Sequence, residues 1–278
     1  MSATGRTIAK SKIVLLGQKN PAEQIDLDPN EGPFESWLAV AQDMWGVGNL
    51  TPLDRVFAST AIGALAVTGK AIFGAVCYHL GQRLFSFSRE VDIWIDAYEC
   101  EPAVSLIEKR PKDKVKLSPW TAKERQLGTN RFTKLAVLYM TKLPVPSAAL
   151  FRDCAISLKP NGNLFVADLV AGKNNAGASS PAWFGNLELQ SLADHKNALS
   201  KAGLSLCNEY NVTGDVEGAI RRGLYDSINA LANIRTLKEP WRGQRFAAYY
   251  RELESLSRLY KDLESGDVAA AGILALKP

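Results

Sequence analysis

Residues Ala71–Pro102, AIFGAVCYHLGQRLFSFSREVDIWIDAYECEP, decide the fold class of this chain. An apolar segment near Lys70–Val76 predicts a strand, a short helix follows, and a second apolar segment near Val91–Tyr98 predicts a strand that ends in acid. This βαβ order is typical of a doubly wound sheet, which binds nucleotide-like ligands beyond the carboxyl ends of its strands. The sequence therefore predicts an α/β fold.

Strands and helices continue to alternate along the rest of the chain, which predicts a mainly parallel sheet of seven strands with helices on both faces. Residues 1–32 show little periodicity and are interpreted as an N-terminal arm, and residues 33–278 are interpreted as one domain. Residues from about 215 to 264 predict helices inserted before the last strand, AAAGILALKP. We expect this helical insertion to cap the carboxyl edge of the sheet.

Composition excludes several classes of function. The 278 residues are 46% hydrophobic and 22% charged, as in a globular protein, and the net charge of +4 is too small and dispersed to indicate a nucleic-acid partner. Four separated cysteines and two histidines leave little for a metal site. No apolar run is long enough to span a membrane, and Ile13–Gly17 is too short for a signal peptide. These features predict a cytoplasmic protein.

Four segments carry a resemblance to a known family. They are MWGVGNLTP (Met44–Pro52), YECEPAV (Tyr98–Val104), LKPNGNLFVADLV (Leu158–Val170) and DHKNALSKAGL (Asp194–Leu204) with the following NVTGDVEGAIRRG. In this order they resemble segments of the class I S-adenosylmethionine-dependent methyltransferases, most of all the branch that methylates small amines such as phosphoethanolamine and sarcosine. The resemblance covers roughly residues 35–278 and implies a Rossmann-like fold.

The resemblance also implies a cofactor site for S-adenosylmethionine. Glu99 would accept hydrogen bonds from both ribose hydroxyls, and Trp120 could stack on the base. The residues implied to close over the methionine end of the cofactor are Trp45, Gly46, Gly48 and Thr51. An acid facing water at a strand end, and a tryptophan packed in the core, are the ordinary structural alternatives.

The same resemblance places a small-molecule substrate near Tyr139, at the end of strand four, and Asp168, just after strand five. Core packing of the tyrosine and a helix-capping or turn role for the aspartate are the structural alternatives. The catalytic residues stay open, because methyl transfer from a sulfonium needs mainly proximity and alignment. No metal is expected.

The loop after strand one departs from the family pattern, which has an acid and closely spaced glycines there. In Phe73–Gly81, FGAVCYHLG, only Gly74 and Gly81 are glycine, and Gly74 is the one we assign to the cofactor. Bulkier residues, among them Ala75, Val76, Cys77 and Tyr78, fill the gap. A tyrosine there would exclude the ligand.

Two functions of different classes therefore stay open. One is a small-molecule methyltransferase with an unusual cofactor loop, and the other is a pseudoenzyme that has lost the cofactor and binds or regulates a partner. A binder of another nucleotide or acyl group is a third interpretation. A homodimer or a protein partner is expected to use the helical insertion. There Tyr249, Leu253, Leu256 and Tyr260 share one helical face, which forms either the core of the insertion or a dimer interface.

Overall fold

The computed structural model describes residues 33–46, 49–77, 82–99, 114–120, 126–139, 143, 146–174 and 189–278. The predicted N-terminal arm, Gly48 and Tyr78 lie outside the described residues. The strands are β1 (Phe73–Cys77), β2 (Ile95–Glu99), β3 (Val115–Pro119), β4 (Phe132–Leu138), β5 (Leu158–Ala171), β6 (Ser205–Asn211) and β7 (Val268–Leu276). The helices are α1 (Pro33–Trp45), α2 (Pro52–Leu65), α3 (Gln82–Val91), α4 (Ser147–Ser157), α5 (Leu192–Lys201), α6 (Thr213–Thr236) and α7 (Trp241–Ser265).

The seven strands form one sheet in the order β3-β2-β1-β4-β5-β7-β6. The first five strands pair in parallel, and β7 runs antiparallel to both of its neighbours. The predicted fold class, a mainly parallel seven-stranded sheet, is confirmed. Strand order reverses between β1 and β4, and in open α/β sheets ligands bind at such a switch point.

Helices cover both faces of the sheet. Alternate strand residues point to opposite faces, so Phe165 and Ala167 of β5 join the core beneath α2, while Leu164 and Val166 join the core beneath α4 and α5. The helices α1, α6 and α7 pack against one another on the α2 side. Since the central strands are buried on both faces, they are apolar runs without polar alternation.

Two predicted boundaries are wrong. The second strand was predicted to begin at Val91, but α3 ends there and β2 begins at Ile95, because Asp92 takes a left-handed conformation with φ of +57° that breaks the apolar run. The segment KPNG (Lys159–Gly162) has the Pro and Gly that are typical of a turn at the end of a helix. It instead lies inside β5, where pairing with β4 shifts register and Asn161 has a φ of +62°, as in a β-bulge.

The helical insertion before the last strand consists of α6 and α7. It leaves the sheet after β6 and returns at Val268, the β7 residue that pairs with Ala171 at the carboxyl end of β5. Its aromatic face packs within the chain: Tyr249 is buried with its hydroxyl 3.3 Å from Ser227 Oγ, and the Arg221 guanidinium lies over the Tyr260 ring. Part of that face therefore packs in the core of the chain, and a dimer interface there stays a prediction.

Candidate functional site

The carboxyl ends of the parallel strands lie at one level of the sheet. Cys77 at the end of β1 is aligned with Glu99 of β2 on one side and with Leu138 of β4 on the other, and Leu138 is aligned with Ala167 of β5. The N-terminus of α2 lies above this edge. We call the following residues the sheet-edge site: Thr51, Asp54, Cys77, Glu99, Tyr139 and Asp168.

Glu99 and Trp120, the residues predicted for the nucleoside end of the cofactor, are neighbours. The Trp120 amide donates to the Glu99 carbonyl at 2.6 Å, so β3 and β2 hold the two residues side by side. The Glu99 side chain is completely buried. The Trp120 indole packs edge-on against Tyr98 at 6.3 Å in the core, and its N–H has no hydrogen-bond partner among the described residues. Ribose and base binding by these residues stay predictions.

Thr51 begins α2 and is held in a capping box with Asp54. The Thr51 hydroxyl accepts from the Leu53 amide at 3.2 Å and donates to Asp54 Oδ1 at 2.8 Å. The amides of Leu50 and Thr51 donate to Asp54 Oδ2 at 2.6 and 3.2 Å. The T-x-x-D spacing follows the capping-box pattern, so the sequence contained a signal for this interaction, although Asp54 was not predicted as a site residue.

Tyr139 joins this capping box from the opposite side of the site. Its hydroxyl donates to Asp54 Oδ1 and lies 3.1 Å from Thr51 Oγ1, and its ring packs against Phe57 with centroids 5.2 Å apart. Its amide donates to the Ala167 carbonyl at 3.0 Å, which fixes the residue at the end of β4. Thr51, Asp54 and Tyr139 thus form one hydrogen-bonded cluster, which we call the Tyr139 cluster.

Burial governs the chemistry of Tyr139. Desolvation, followed by the negative charge of Asp54, raises the pKa of the Tyr139 hydroxyl well above its usual range. The phenol therefore keeps its proton at neutral pH and acts as a donor to Asp54. Its backbone φ of +59° is uncommon for an aromatic residue, and such conformations persist where surrounding contacts hold them.

The Trp45 side chain packs on the helical insertion. Its indole N–H donates to Glu252 Oε1 of α7 at 3.2 Å, and its ring lies directly on Gly223 of α6. Gly46 is exposed with a φ of +83°, and the Asn49 side chain donates to the Trp45 carbonyl at 3.1 Å. Contacts of Trp45 and Gly46 with a cofactor stay predictions. In the structure, the Trp45 side chain contacts the helical insertion.

Gly74 lies in the second position of β1 rather than in a loop. A Cβ there would stand 2.8 Å from Phe132 and 2.9 Å from Leu135, so a glycine is needed for packing inside the sheet. The strand continues to Cys77, whose thiol donates to the Tyr98 carbonyl at 3.8 Å. Ala75, Val76 and Cys77, predicted to fill a loop, are therefore buried strand residues.

Asp168 lies inside β5, not after it as predicted, because the strand continues to Ala171 and Asp168 pairs with Ala271 of β7. The side chain is buried and accepts from the Leu169 amide at 2.8 Å. Neither a helix cap nor a turn describes this position. A substrate role for Asp168 stays a prediction.

His195 is a buried residue that the sequence did not single out. It lies in the first turns of α5, whose N-cap Ser191 bridges to Ala171 at the carboxyl edge. The imidazole is 2% exposed, and neither ring nitrogen has a hydrogen-bond partner among the described residues. Burial lowers the pKa of His195 to about 4, against a smaller opposing effect of Asp194.

The described parts of the chain contain no group of three or more acidic, histidine or cysteine residues placed to bind a metal. None of the described helices is both long and apolar enough to cross a membrane. The side chains of the sheet-edge site share one property: each is at most 9% exposed.

Comparisons with solved structures identify this fold. The structure of Haemonchus contortus phosphoethanolamine N-methyltransferase 2 with S-adenosyl-L-methionine matches with a TM-score of 0.71 at 11% identity, over 89% of this chain and 57% of that one. This chain therefore spans little more than half of that protein. The cyclopropane synthase MmaA2 from Mycobacterium tuberculosis matches with a TM-score of 0.63 at 13% identity, over 91% of this chain and 100% of that one.

The [4+2]-cyclase SpnF also matches, with a TM-score of 0.60 at 16% identity, over 81% of this chain and 80% of that one. No model of a protein family and no curated protein sequence matches this chain. At such low identity the structural matches show the fold alone. The chain has the fold of the class I S-adenosylmethionine-dependent methyltransferases, as its sequence motifs predicted.

Proposed function

We propose that this chain, which has the fold of the class I S-adenosylmethionine-dependent methyltransferases, does not transfer methyl groups and acts as a binding or regulatory partner of another molecule. One observation carries the proposal: at the sheet-edge site the side chains of Thr51, Asp54, Cys77 and Tyr139 are buried and hydrogen-bonded to the protein itself. A cofactor of this kind needs polar atoms that face an open crevice. The site residues fit such a cofactor only in part.

The methionine end is where the fit fails. Thr51 and Tyr139, which would line that end and the transfer site, both donate their hydroxyl protons to Asp54, and their two hydroxyl oxygens lie 3.1 Å apart. Trp45 directs its indole to the helical insertion. A ligand at this end would have to break the Tyr139 cluster, at a cost of several hydrogen bonds, one of them from a phenol to a charged carboxylate.

The second candidate is an S-adenosylmethionine-dependent methyltransferase acting on a small molecule. Glu99 favours it, because an acid stands at the end of β2 with Trp120 beside it. The matching enzyme structures carrying S-adenosyl-L-methionine or its demethylated product favour it as well. Under this candidate, the buried carboxylate of Glu99 would bind the ribose hydroxyls.

The helical insertion is the surface we propose for a protein partner or a second copy of the chain. It exposes two large apolar side chains on α6, Tyr225 at 78% and Ile228 at 63%, and Tyr250 on α7 at 63%. A cytoplasmic location belongs to the same proposal. It is supported by the described cysteines Cys77, Cys154 and Cys207, which form no disulfide.

Isothermal titration calorimetry with S-adenosylmethionine and S-adenosylhomocysteine tests the proposal. We expect no heat of binding at millimolar ligand. A micromolar Kd would contradict the proposal, and Glu99→Ala would then test the second candidate. Loss of a charge-assisted hydrogen bond to ribose should weaken binding about tenfold or more.

A further inference from the structure

Glu252 of α7 joins the two tryptophans of α1 to the helical insertion. Its carboxylate accepts from Trp37 Nε1 at 3.0 Å through one oxygen and from Trp45 Nε1 at 3.2 Å through the other. The residue is nearly fully buried, where hydrogen bonds to a charged acceptor are strong. Two indole N–H groups eight residues apart on α1 thus share one acceptor.

The ring of Trp45 is fixed from a second direction. It lies so close to α6 that a Cβ on Gly223 would overlap the six-membered ring. The absence of a side chain at Gly223 therefore makes room for the Trp45 ring. Both helices of the insertion contact this last residue of α1.

The end of α1 leads directly to the sheet-edge site. The side-chain amide of Asn49 donates to the Trp45 carbonyl at 3.1 Å, and the backbone amide of Asn49 donates to the Gly46 carbonyl at 3.1 Å. The next two residues, Leu50 and Thr51, donate their amides to Asp54 in the Tyr139 cluster. A continuous chain of hydrogen bonds and short backbone segments therefore runs from Glu252 to Tyr139.

We propose that Glu252 is a positioning residue through which the helical insertion holds the sheet-edge site closed. By fixing Trp45 on Gly223, it sets the position of the segment that places Thr51 and Asp54 over Tyr139. This inference rests on the proposed function, since it explains how the site stays buried.

Amide hydrogen exchange measured by NMR on the protein alone tests this inference, so the outcome does not depend on whether any cofactor binds. The amides of Leu50, Thr51 and Leu53 report on the capping box, because Asp54 and Thr51 side chains accept their hydrogen bonds. The variant is Glu252→Gln, whose amide offers one acceptor and one donor group in place of two acceptors. It can satisfy only one of the two indoles.

We expect exchange at Leu50, Thr51 and Leu53 to accelerate about tenfold in Glu252→Gln, the scale of one lost charged hydrogen bond. Trp45→Phe, which keeps a ring on Gly223 but removes the N–H, should give the same pattern and serves if Glu252→Gln does not fold. The matched control is Glu254→Gln, which removes an exposed carboxylate paired with Arg258 on the same helix. It should leave these three amides unchanged.

A purely structural role of Glu252 would change exchange in α1 and α7 while leaving the capping-box amides as in the wild type. That result would overturn the inference. Equal acceleration at all amides, including those of the central strands, would also overturn it, because it would mean lost global stability rather than a released segment.

Discussion

Removal of the Tyr139 hydroxyl should destabilise the protein far more than removal of a tyrosine hydroxyl at the surface. In Tyr139→Phe, the ring keeps its contact with Phe57, but Asp54 loses one of its donors. The carboxylate keeps the amides of Leu50 and Thr51 and the Thr51 hydroxyl. Since the lost bond has a charged acceptor and is buried, we expect the free energy of unfolding to fall by about 2 kcal/mol.

Urea denaturation at neutral pH measures this change, with Tyr225→Phe as the control, because Tyr225 is mostly exposed. The control should change the free energy of unfolding by less than about 0.5 kcal/mol. Asp54→Asn combined with Tyr139→Phe completes a double-mutant cycle, in which we expect a coupling energy above about 1 kcal/mol. Equal effects of the two tyrosine substitutions, or additive effects in the cycle, would refute the proposed strength of the Tyr139 cluster.

Three further substitutions have defined outcomes. Below about pH 6.5 His195 is protonated in the unfolded chain, whereas in the folded protein it stays neutral down to its pKa of about 4. The free energy of unfolding should therefore decrease as the pH is lowered, by about 2 kcal/mol at about pH 5. His195→Gln should flatten this pH dependence in urea titrations. Gly223→Ala should displace the Trp45 ring and shift the tryptophan fluorescence spectrum. An unchanged fluorescence spectrum would contradict the described contact of Trp45 with Gly223. Gly74→Ala should lower the free energy of unfolding by about 1–3 kcal/mol through crowding of Phe132, and an unchanged thermal midpoint would show that packing does not require the glycine.

The sheet was predictable because its signals are local. Continuous apolar runs such as KLAVLYM mark buried parallel strands, and their alternation with helices determines the class of sheet. The predicted start of the second strand failed for a local reason too. The run VDIWI is apolar enough for a strand, but Asp92 adopts a left-handed conformation and Trp94 is exposed before β2 begins.

The candidate site was predictable in position and not in its contacts. Motif order placed Thr51, Glu99 and Tyr139 near the carboxyl edge, where the structure has them. Nothing local in the sequence indicates that Tyr139 bonds to Asp54, because 85 residues separate the two. The orientation of Trp45 depends likewise on residues of α6 and α7 far along the chain. The segment MWGVGNLTP, which resembles a cofactor-binding segment, is therefore equally compatible with packing of Trp45 on the insertion.

The most direct test of the closed sheet-edge site is a proton–nitrogen correlation NMR spectrum recorded with increasing S-adenosylmethionine, up to millimolar concentration. We predict that the amide signals of Thr51, Cys77, Glu99 and Tyr139 do not shift, because their side chains are buried. Saturable shifts that cluster at these four amides would contradict the account, since they would show that the cofactor enters the site.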